Sequence, residues 1–287
     1  MKAKYKATLV TLFFLAFIGL LVIYMCSHNV ALLNPKGFIG IKERNLILTA
    51  AGLMMIVIIP VFILTLVFSW KYRDGNTQAK YTPEWEHSYV AESVWWGVPF
   101  VIIIILAVIT WKSSHELSPF KSIQSENTPI EIQAVALEWK WLFIYPKQGI
   151  ATVNYIQFPV DTPVSFEITA DAPMNALWIP QLGGQIYAMP AMRSKLHLIA
   201  DQEGEYKGRS SSYSGEGFSG MTFIAKASSE DEFQTWISKA KRSPALDFDQ
   251  YEELAEPSSN NPVELYKLSD GDLFDQILMK YEPPKEN

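Results

Sequence analysis

Cysteine is nearly absent from this chain. One residue, Cys26, stands among 287, which excludes an intrachain disulfide and any site built from several thiolates. Histidine is scarce too. His28, His87, His115 and His197 fall singly in separate segments, with no pair at helical or strand ligand spacing, so no metal centre is read from them. His197 alternates with Leu196 and Leu198 and is expected on the outer side of a strand. Formal charge is missing from three stretches, Ala7 to Pro35, Asn45 to Trp70 and Ser93 to Trp111. Each is long enough to cross a hydrocarbon core of about 30 Å, and a core helix of a soluble protein would keep one polar face. Basic residues are few at the far end, where residues 244–287 hold eleven acids against three bases. That balance argues against a nucleic-acid partner. Neither a phosphate loop, a dinucleotide motif nor a Ser-His-Asp set is apparent.

What is present is ordered along the chain. Lys2, Lys4 and Lys6 precede an apolar stretch ending at Cys26, the layout of a secretory signal. Two readings stand. Residues 1–25 are a signal peptide whose removal leaves Cys26 as an acylated first residue, or they are an uncleaved, signal-like transmembrane segment holding an incidental cysteine. Tyr24 and Met25 are bulkier than the residues that usually precede such a cleavage point. Residues 26–44 then form an exported stretch, 45–70 a span with a kink at Pro60, 71–92 a cytoplasmic loop turning at Thr82-Pro83, and 93–111 a second span. Trp70, Lys71, Tyr72 and Arg73 are an interfacial anchor. Counting Lys2, Lys4, Lys6, Lys71, Arg73 and Lys80 inside, against Lys36, Lys42, Arg44, Lys112 and Lys121 outside, narrowly favours an exported C-terminal domain.

From Pro129 the period becomes two. Ile130–Val135, Val164–Ile168, Lys195–Ile199 and Met221–Ala225 alternate between turn residues, which predicts antiparallel strands packed as a sandwich or barrel over residues 112–227. Residues 228–287 read as a helix followed by an acidic extension. Ser229-Glu230-Asp231-Glu232 is a capping-box pattern, with Phe233, Trp236, Ile237 and Ala240 on one face. The remainder, with Pro257, Pro262, Pro283 and Pro284, reads as loosely structured apart from one short helix near Asp272–Met279.

Near the end of the β-patterned region, Ser210–Met221 reads SSSYSGEGFSGM. Its length, glycines and position suit a metal loop, yet it offers hydroxyls and one thioether where copper or zinc would want thiolate and imidazole.

Two spans followed by an exported β-domain with this loop resemble subunit II of the haem-copper terminal oxidases. The nearest branch is the bo-type ubiquinol oxidases, through NPKGFIG (34–40), RNLILTAAGLMMIVIIP (44–60), EWKWLFIYPKQGIATVN (138–154) and SYSGEGFSGM (212–221). The resemblance implies a membrane-anchored, cupredoxin-like Greek-key β-sandwich with a C-terminal helical, acidic extension, placed in a bacterial inner membrane. In relatives that oxidise cytochrome c, such a loop holds two coppers through two Cys, two His, a Met and a backbone carbonyl. Here the Cys positions fall on Ser210 and Ser214, the carbonyl on Ser212, the loop His on Phe218 and the upstream His on Asn175; Met221 alone is retained. A serine hydroxyl stays protonated at neutral pH and is too hard to replace a bridging thiolate. The implied function is a non-redox subunit of a complex that oxidises ubiquinol, reduces oxygen to water and pumps protons. No cofactor or metal is expected in this chain, and haems, one copper and ubiquinol are expected in subunit I. The implied partners are that subunit, smaller membrane subunits and lipids, with no role for cytochrome c.

Glu92 opens the second span. A lone acid there faces water at an interface, or, by the resemblance, marks the mouth of a proton-uptake path. Trp139 and Trp141, at spacing two, are expected on one face of a strand as packing residues. Their aromatic counterparts in copper-bearing relatives receive electrons, a role without an acceptor here. The alternative function is a membrane-anchored exported binding module outside any oxidase.

Overall fold

The computed structural model describes residues 2–27, 30–80, 82, 84 and 86–281. His28, Pro83, Pro283 and Pro284 lie outside them. Two compact units divide the chain, one of residues 1–41 with 122–287 and one of residues 42–121.

An N-terminal helix, α1 (Lys2–Ser27), contains Cys26 near its end. Helices α2 (Phe38–Lys71) and α3 (Tyr89–Glu116) run about 50 Å and about 40 Å, both longer than a hydrocarbon core. Their large apolar side chains face outward: Leu66 is 69% and Trp96 75% exposed, which only lipid or partner helices can cover. Helix α2 continues through Pro60 and starts at Phe38, ahead of its uncharged run. The reason is a set of bonds to the β-domain at its entrance. Lys36 N–H donates to the Gln181 carbonyl (2.7 Å), Gly40 N–H to that of Leu182 (3.0 Å) and Asp201 N–H to that of Lys36 (2.8 Å). A Cβ at Gly37 would lie 2.2 Å from the Ile199 carbonyl oxygen, so only glycine permits this approach.

The β-domain strands are β1 (Ile130–Leu137), β2 (Lys140–Tyr145), β3 (Ile150–Val153), β4 (Tyr155–Pro159), β5 (Val164–Ala170), β6 (Asn175–Trp178), β7 (Ile186–Ala188), β8 (Ser194–Leu198), β9 (Gly204–Ser210), β10 (Thr222–Ser228), β11 (Ala245–Leu246) and β12 (Glu264–Leu268). They form a seven-stranded sheet ordered β11-β12-β3-β2-β1-β5-β8 and a five-stranded sheet ordered β4-β10-β9-β6-β7. A core of alternating residues, with Trp141, Phe143, Phe166 and Phe223 among the largest, fills the sandwich. The pairing is mixed, not purely antiparallel as the turn-rich sequence predicts. β1 runs parallel to β5, β4 to β10 and β11 to β12, because the segments between them lead through other strands or, between β11 and β12, through a helix over Phe248–Ala255, instead of tight hairpins.

Helix α4 (Glu230–Ala240) follows the predicted cap: the Ser229 hydroxyl accepts from Glu232 N–H, and Phe233, Trp236, Ile237 and Ala240 are buried. The remainder corrects the sequence reading. The short helix expected near Asp272–Met279 is there as α6 (Leu273–Met279), but the segment before it is not loose: it forms α5 (Phe248–Ala255), β11 and β12, and β12 pairs with β3. Leu246, Tyr251, Leu273, Phe274 and Ile277 pack on Val135, Leu137, Leu142 and Ile144, covering the outer face of the larger sheet with a second core. Those sheet residues alternate with the inward ones, so both faces of β1 and β2 are apolar. A strand buried on both sides needs a cover, and the acidic segment supplies it.

Candidate functional site

The Ser/Gly-rich loop joins β9 to β10, with a 3₁₀ turn at Phe218–Gly220. Ser210 N–H donates to the Met221 carbonyl (3.1 Å) and closes its base. Asn175 starts β6, which pairs with β9, so the upstream position lies beside the loop despite 35 residues of separation. The Ser210 hydroxyl donates to Asn175 Oδ1 at 2.8 Å and accepts from Ala176 N–H at 3.4 Å. Asn175 Nδ2 donates to the Pro173 carbonyl at 2.7 Å. Ser210 is 3% and Asn175 1% exposed. The Ser212 carbonyl lies 3.3 Å from the Ser210 hydroxyl. Three of the predicted degenerate positions therefore satisfy one another.

The other three are used differently. Met221 is buried in the sandwich core, and the Phe218 ring sits edge-on to Tyr213 with centroids 5.6 Å apart. The Ser214 carbonyl accepts from Trp139 Nε1–H at 3.1 Å, while its hydroxyl is buried without a hydrogen-bond partner among the described residues. The donor set does not fit copper: the buried positions are neutral oxygen donors already bonded together, and a lone thioether is a weak ligand.

Trp139 and Trp141 do not share a strand face. Glu138 and Trp139 form the two-residue turn between β1 and β2, and Trp139 holds φ of +63°, a left-handed conformation unusual for a bulky residue. Trp141 is fully buried against Phe143 and Phe223. Trp139 lies instead over the loop: a Cβ at Gly217 would come within 2.4 Å of its indole. The glycine is needed for an aromatic lid. A turn signal at Glu138-Trp139 is weak in sequence, since neither residue favours a left-handed turn.

Sequence reasoning also missed the brace beside this lid. Lys140 is buried and donates to the Glu256 carbonyl (2.8 Å) and the Ser258 hydroxyl (2.6 Å). Burial pushes the Lys140 ammonium below its ordinary value, with Glu264 and Glu256 opposing. Asn154 receives Trp141 N–H and donates to the Asn261 carbonyl, and Asn260 abuts Gly220 in the 3₁₀ turn. Residues 256–261 thus strap the loop's end to the β1–β2 turn.

Glu92 sits elsewhere, in the first turn of α3. Its carboxylate accepts from Ser88 N–H at 3.3 Å, His87 Nδ1 lies 3.7 Å away, and the side chain is 37% exposed. Between Glu92 and Lys112 the helix carries no ionisable residue. His115 bonds the Trp111 carbonyl, and His197 is half-buried on β8 between buried Leu196 and Leu198. Among the described residues no group of three or more His, Cys, Asp or Glu converges as a metal site would require.

A two-span anchor, a two-sheet sandwich and a Ser/Gly-rich loop without thiolate or imidazole together fit a subunit II of the haem-copper oxidase class. The family model "Cytochrome C oxidase subunit II, periplasmic domain" matches residues 109–228, and "COX Aromatic Rich Motif" matches 240–285, the span of the second core. The chain is 53% identical over 269 residues to cytochrome bo(3) ubiquinol oxidase subunit 2 of Pseudomonas putida, covering 93% of this chain and 85% of that one. It is 56% identical over 255 residues to the Pseudomonas aeruginosa protein of the same name, covering 88% and 77%. Quinol oxidase subunit 2 of Bacillus anthracis is 36% identical over 259 residues, covering 89% and 87%. The chain belongs to the family of quinol oxidase subunit 2. Its sandwich is accordingly cupredoxin-like and periplasmic, and its two spans lie in the inner membrane.

Proposed function

We propose that the chain is the electron-inert subunit of a terminal oxidase that takes electrons from ubiquinol, reduces oxygen to water and pumps protons. The relatives' activity supports an oxidase over a free-standing binding module. The observation that carries the electron-inert part is the buried Ser210–Asn175 hydrogen bond, which spends on each other two positions where a copper site needs ligands. Without a metal in this domain, electrons have no reason to pass through it, and quinol in the membrane becomes the donor. The haems, the oxygen-binding copper and the quinol site then belong to subunit I, and cytochrome c has no docking role. Helices α2 and α3 brace that subunit, smaller membrane subunits and lipids, since their apolar surfaces are uncovered.

Glu92 is the point at which this chain contributes to proton uptake. A carboxylate at the cytoplasmic end of α3, beside His87 and partly exposed, can exchange protons with water. Since α3 has no further ionisable group before Lys112, the proton leaves this chain at once for a neighbouring subunit. Mass spectrometry of the mature N-terminus decides the remaining assignment: an acylated Cys26 start marks a lipoprotein, an intact Met1 a retained α1.

The test is made on the purified complex. Ubiquinol oxidation without cytochrome c oxidation is expected, with no copper assigned to the periplasmic domain. Stoichiometric copper in that domain overturns the electron-inert reading. Glu92→Gln is expected to slow turnover and proton uptake together; unchanged rates for both remove Glu92 from the path.

A further inference from the structure

At the end of the α2–α3 hairpin opposite Glu92, a cavity of about 210 Å³ with mixed polar and apolar walls opens between the two helices. Lys42, Asn45 and Thr49 line it from α2, at spacings that place them on one helix face, and Ser113 and Glu116 line it from α3. Lys42 Nζ is ion-paired with Glu116 across the hairpin, yet the two side chains remain 32% and 50% exposed. Asn45 Oδ1 accepts from the Arg44 guanidinium at 3.3 and 3.4 Å, so the donor end of that side chain is its Nδ2 amide. At roughly 30 Å³ per water the cavity is far larger than one solvent molecule needs.

Its depth is set by the sequence around it. The uncharged run of α2 begins at Asn45 and that of α3 ends at Trp111, so this cavity lies where hydrocarbon gives way to headgroups. Leu46 continues its wall toward the apolar layer. One cation, one amide and two hydroxyls stand together with a single carboxylate, beside the aliphatic Leu46 and Leu117.

We propose that this cavity binds the headgroup of a zwitterionic phospholipid carrying a primary amine, of the phosphatidylethanolamine type. The phosphate is met by the Lys42 ammonium, the Asn45 amide and the Ser113 hydroxyl. The lipid ammonium is met by Glu116, and the glycerol and acyl chains descend past Leu46. An anionic lipid would satisfy Lys42 but leave Glu116 facing a second negative charge. The adjacent opposite charges therefore select for a headgroup that carries both signs.

The test uses the full oxidase complex, stripped by detergent washing and then exposed to phosphatidylethanolamine, phosphatidylglycerol or inorganic phosphate, with bound lipid counted by native mass spectrometry. Phosphatidylethanolamine is expected to be retained about fivefold better by the wild-type complex than by Lys42→Met. Phosphatidylglycerol is expected to show no such difference, and excess phosphate is expected not to displace the lipid. Because Lys42→Met also breaks the ion pair, the exchange Lys42→Glu with Glu116→Lys serves as the second variant. It keeps a pair across the hairpin with the charges reversed, so the complex assembles while retention falls to the Lys42→Met level. Undiminished retention in the exchange variant, equal retention of phosphatidylglycerol, or displacement by phosphate each overturns the proposal.

Discussion

The loop between β9 and β10 and the C-terminal segment from Ala245 to Met279 are two polar stretches of one domain that fold for opposite reasons. The loop keeps a compact turn by hydrogen bonds among small side chains and by the Trp139 lid, with neither thiolate nor imidazole in it. The C-terminal segment is acidic and rich in turn residues, yet it is held by Tyr251, Leu273, Phe274 and Ile277 buried on the outer face of a sheet. One region is a shape maintained by polar satisfaction; the other is a hydrophobic cover with a charged exterior. Regions of the first kind should fail locally and those of the second cooperatively, because apolar burial is shared among many partners and a hydrogen bond between few.

That contrast can be broken most directly at Phe274. Phe274→Ala should cost about 3–5 kcal/mol and expose β12, α5 and α6 together in hydrogen exchange of the full chain. A loss confined to α6 would mean that the cover is not one unit. Ser210→Ala should have a smaller effect, about 1–3 kcal/mol, because it strips Asn175 Oδ1 of a buried donor. Faster exchange is expected at 210–221 only, with ubiquinol turnover at the wild-type rate; a drop in turnover with the complex intact would show that the loop matters to electron flow.

Acid should separate the regions without mutation. Burial alone raises the Asp171 carboxyl, but hydrogen bonds from Tyr251, Tyr281 and Lys280, together with the Lys280 charge, outweigh it and hold the group below its ordinary value. A depressed carboxylate contributes stability above its unfolded value, near pH 4, and loses it as pH falls through the lower folded value. Acidification below about pH 4 should therefore loosen α5 and α6 before the loop, read by exchange at each segment. Equal loosening would remove Asp171 as the anchor. The smallest effect is expected from Trp139→Phe, which keeps the ring over Gly217 but removes the bond to the Ser214 carbonyl, at about 0.5–1.5 kcal/mol. A larger loss, measured as local exchange at 213–217, would mean that the bond and not the ring holds the lid.

The legible parts of the fold were those with strong local periodicity. The uncharged runs became α2 and α3, the alternating runs became strands, and Ser229 capped α4 with the predicted face buried. The strand directions were less legible, because alternation is the same whether a neighbour runs parallel or antiparallel, as β1 shows by pairing both ways with β2 and β5. Trp139 was misplaced because alternation through Glu138-Trp139-Lys140-Trp141 gives no sign of a left-handed turn. The brace from Lys140 to Ser258 was invisible for another reason: its partners lie 118 residues apart and carry no pattern of their own.

Two facts needed nothing beyond the sequence. Three charge-free runs require an apolar surrounding whatever their packing, since no fold can hydrate that much hydrocarbon cheaply, and a loop without cysteine or histidine cannot supply thiolate or imidazole in any conformation. How the loop and the sheet's outer face are held was decided by tertiary structure alone. Ser210 meets Asn175, Trp139 closes over Gly217, and the acidic tail covers β1 and β2 because buried polar atoms and two-sided apolar strands must find partners, wherever in the chain those partners stand.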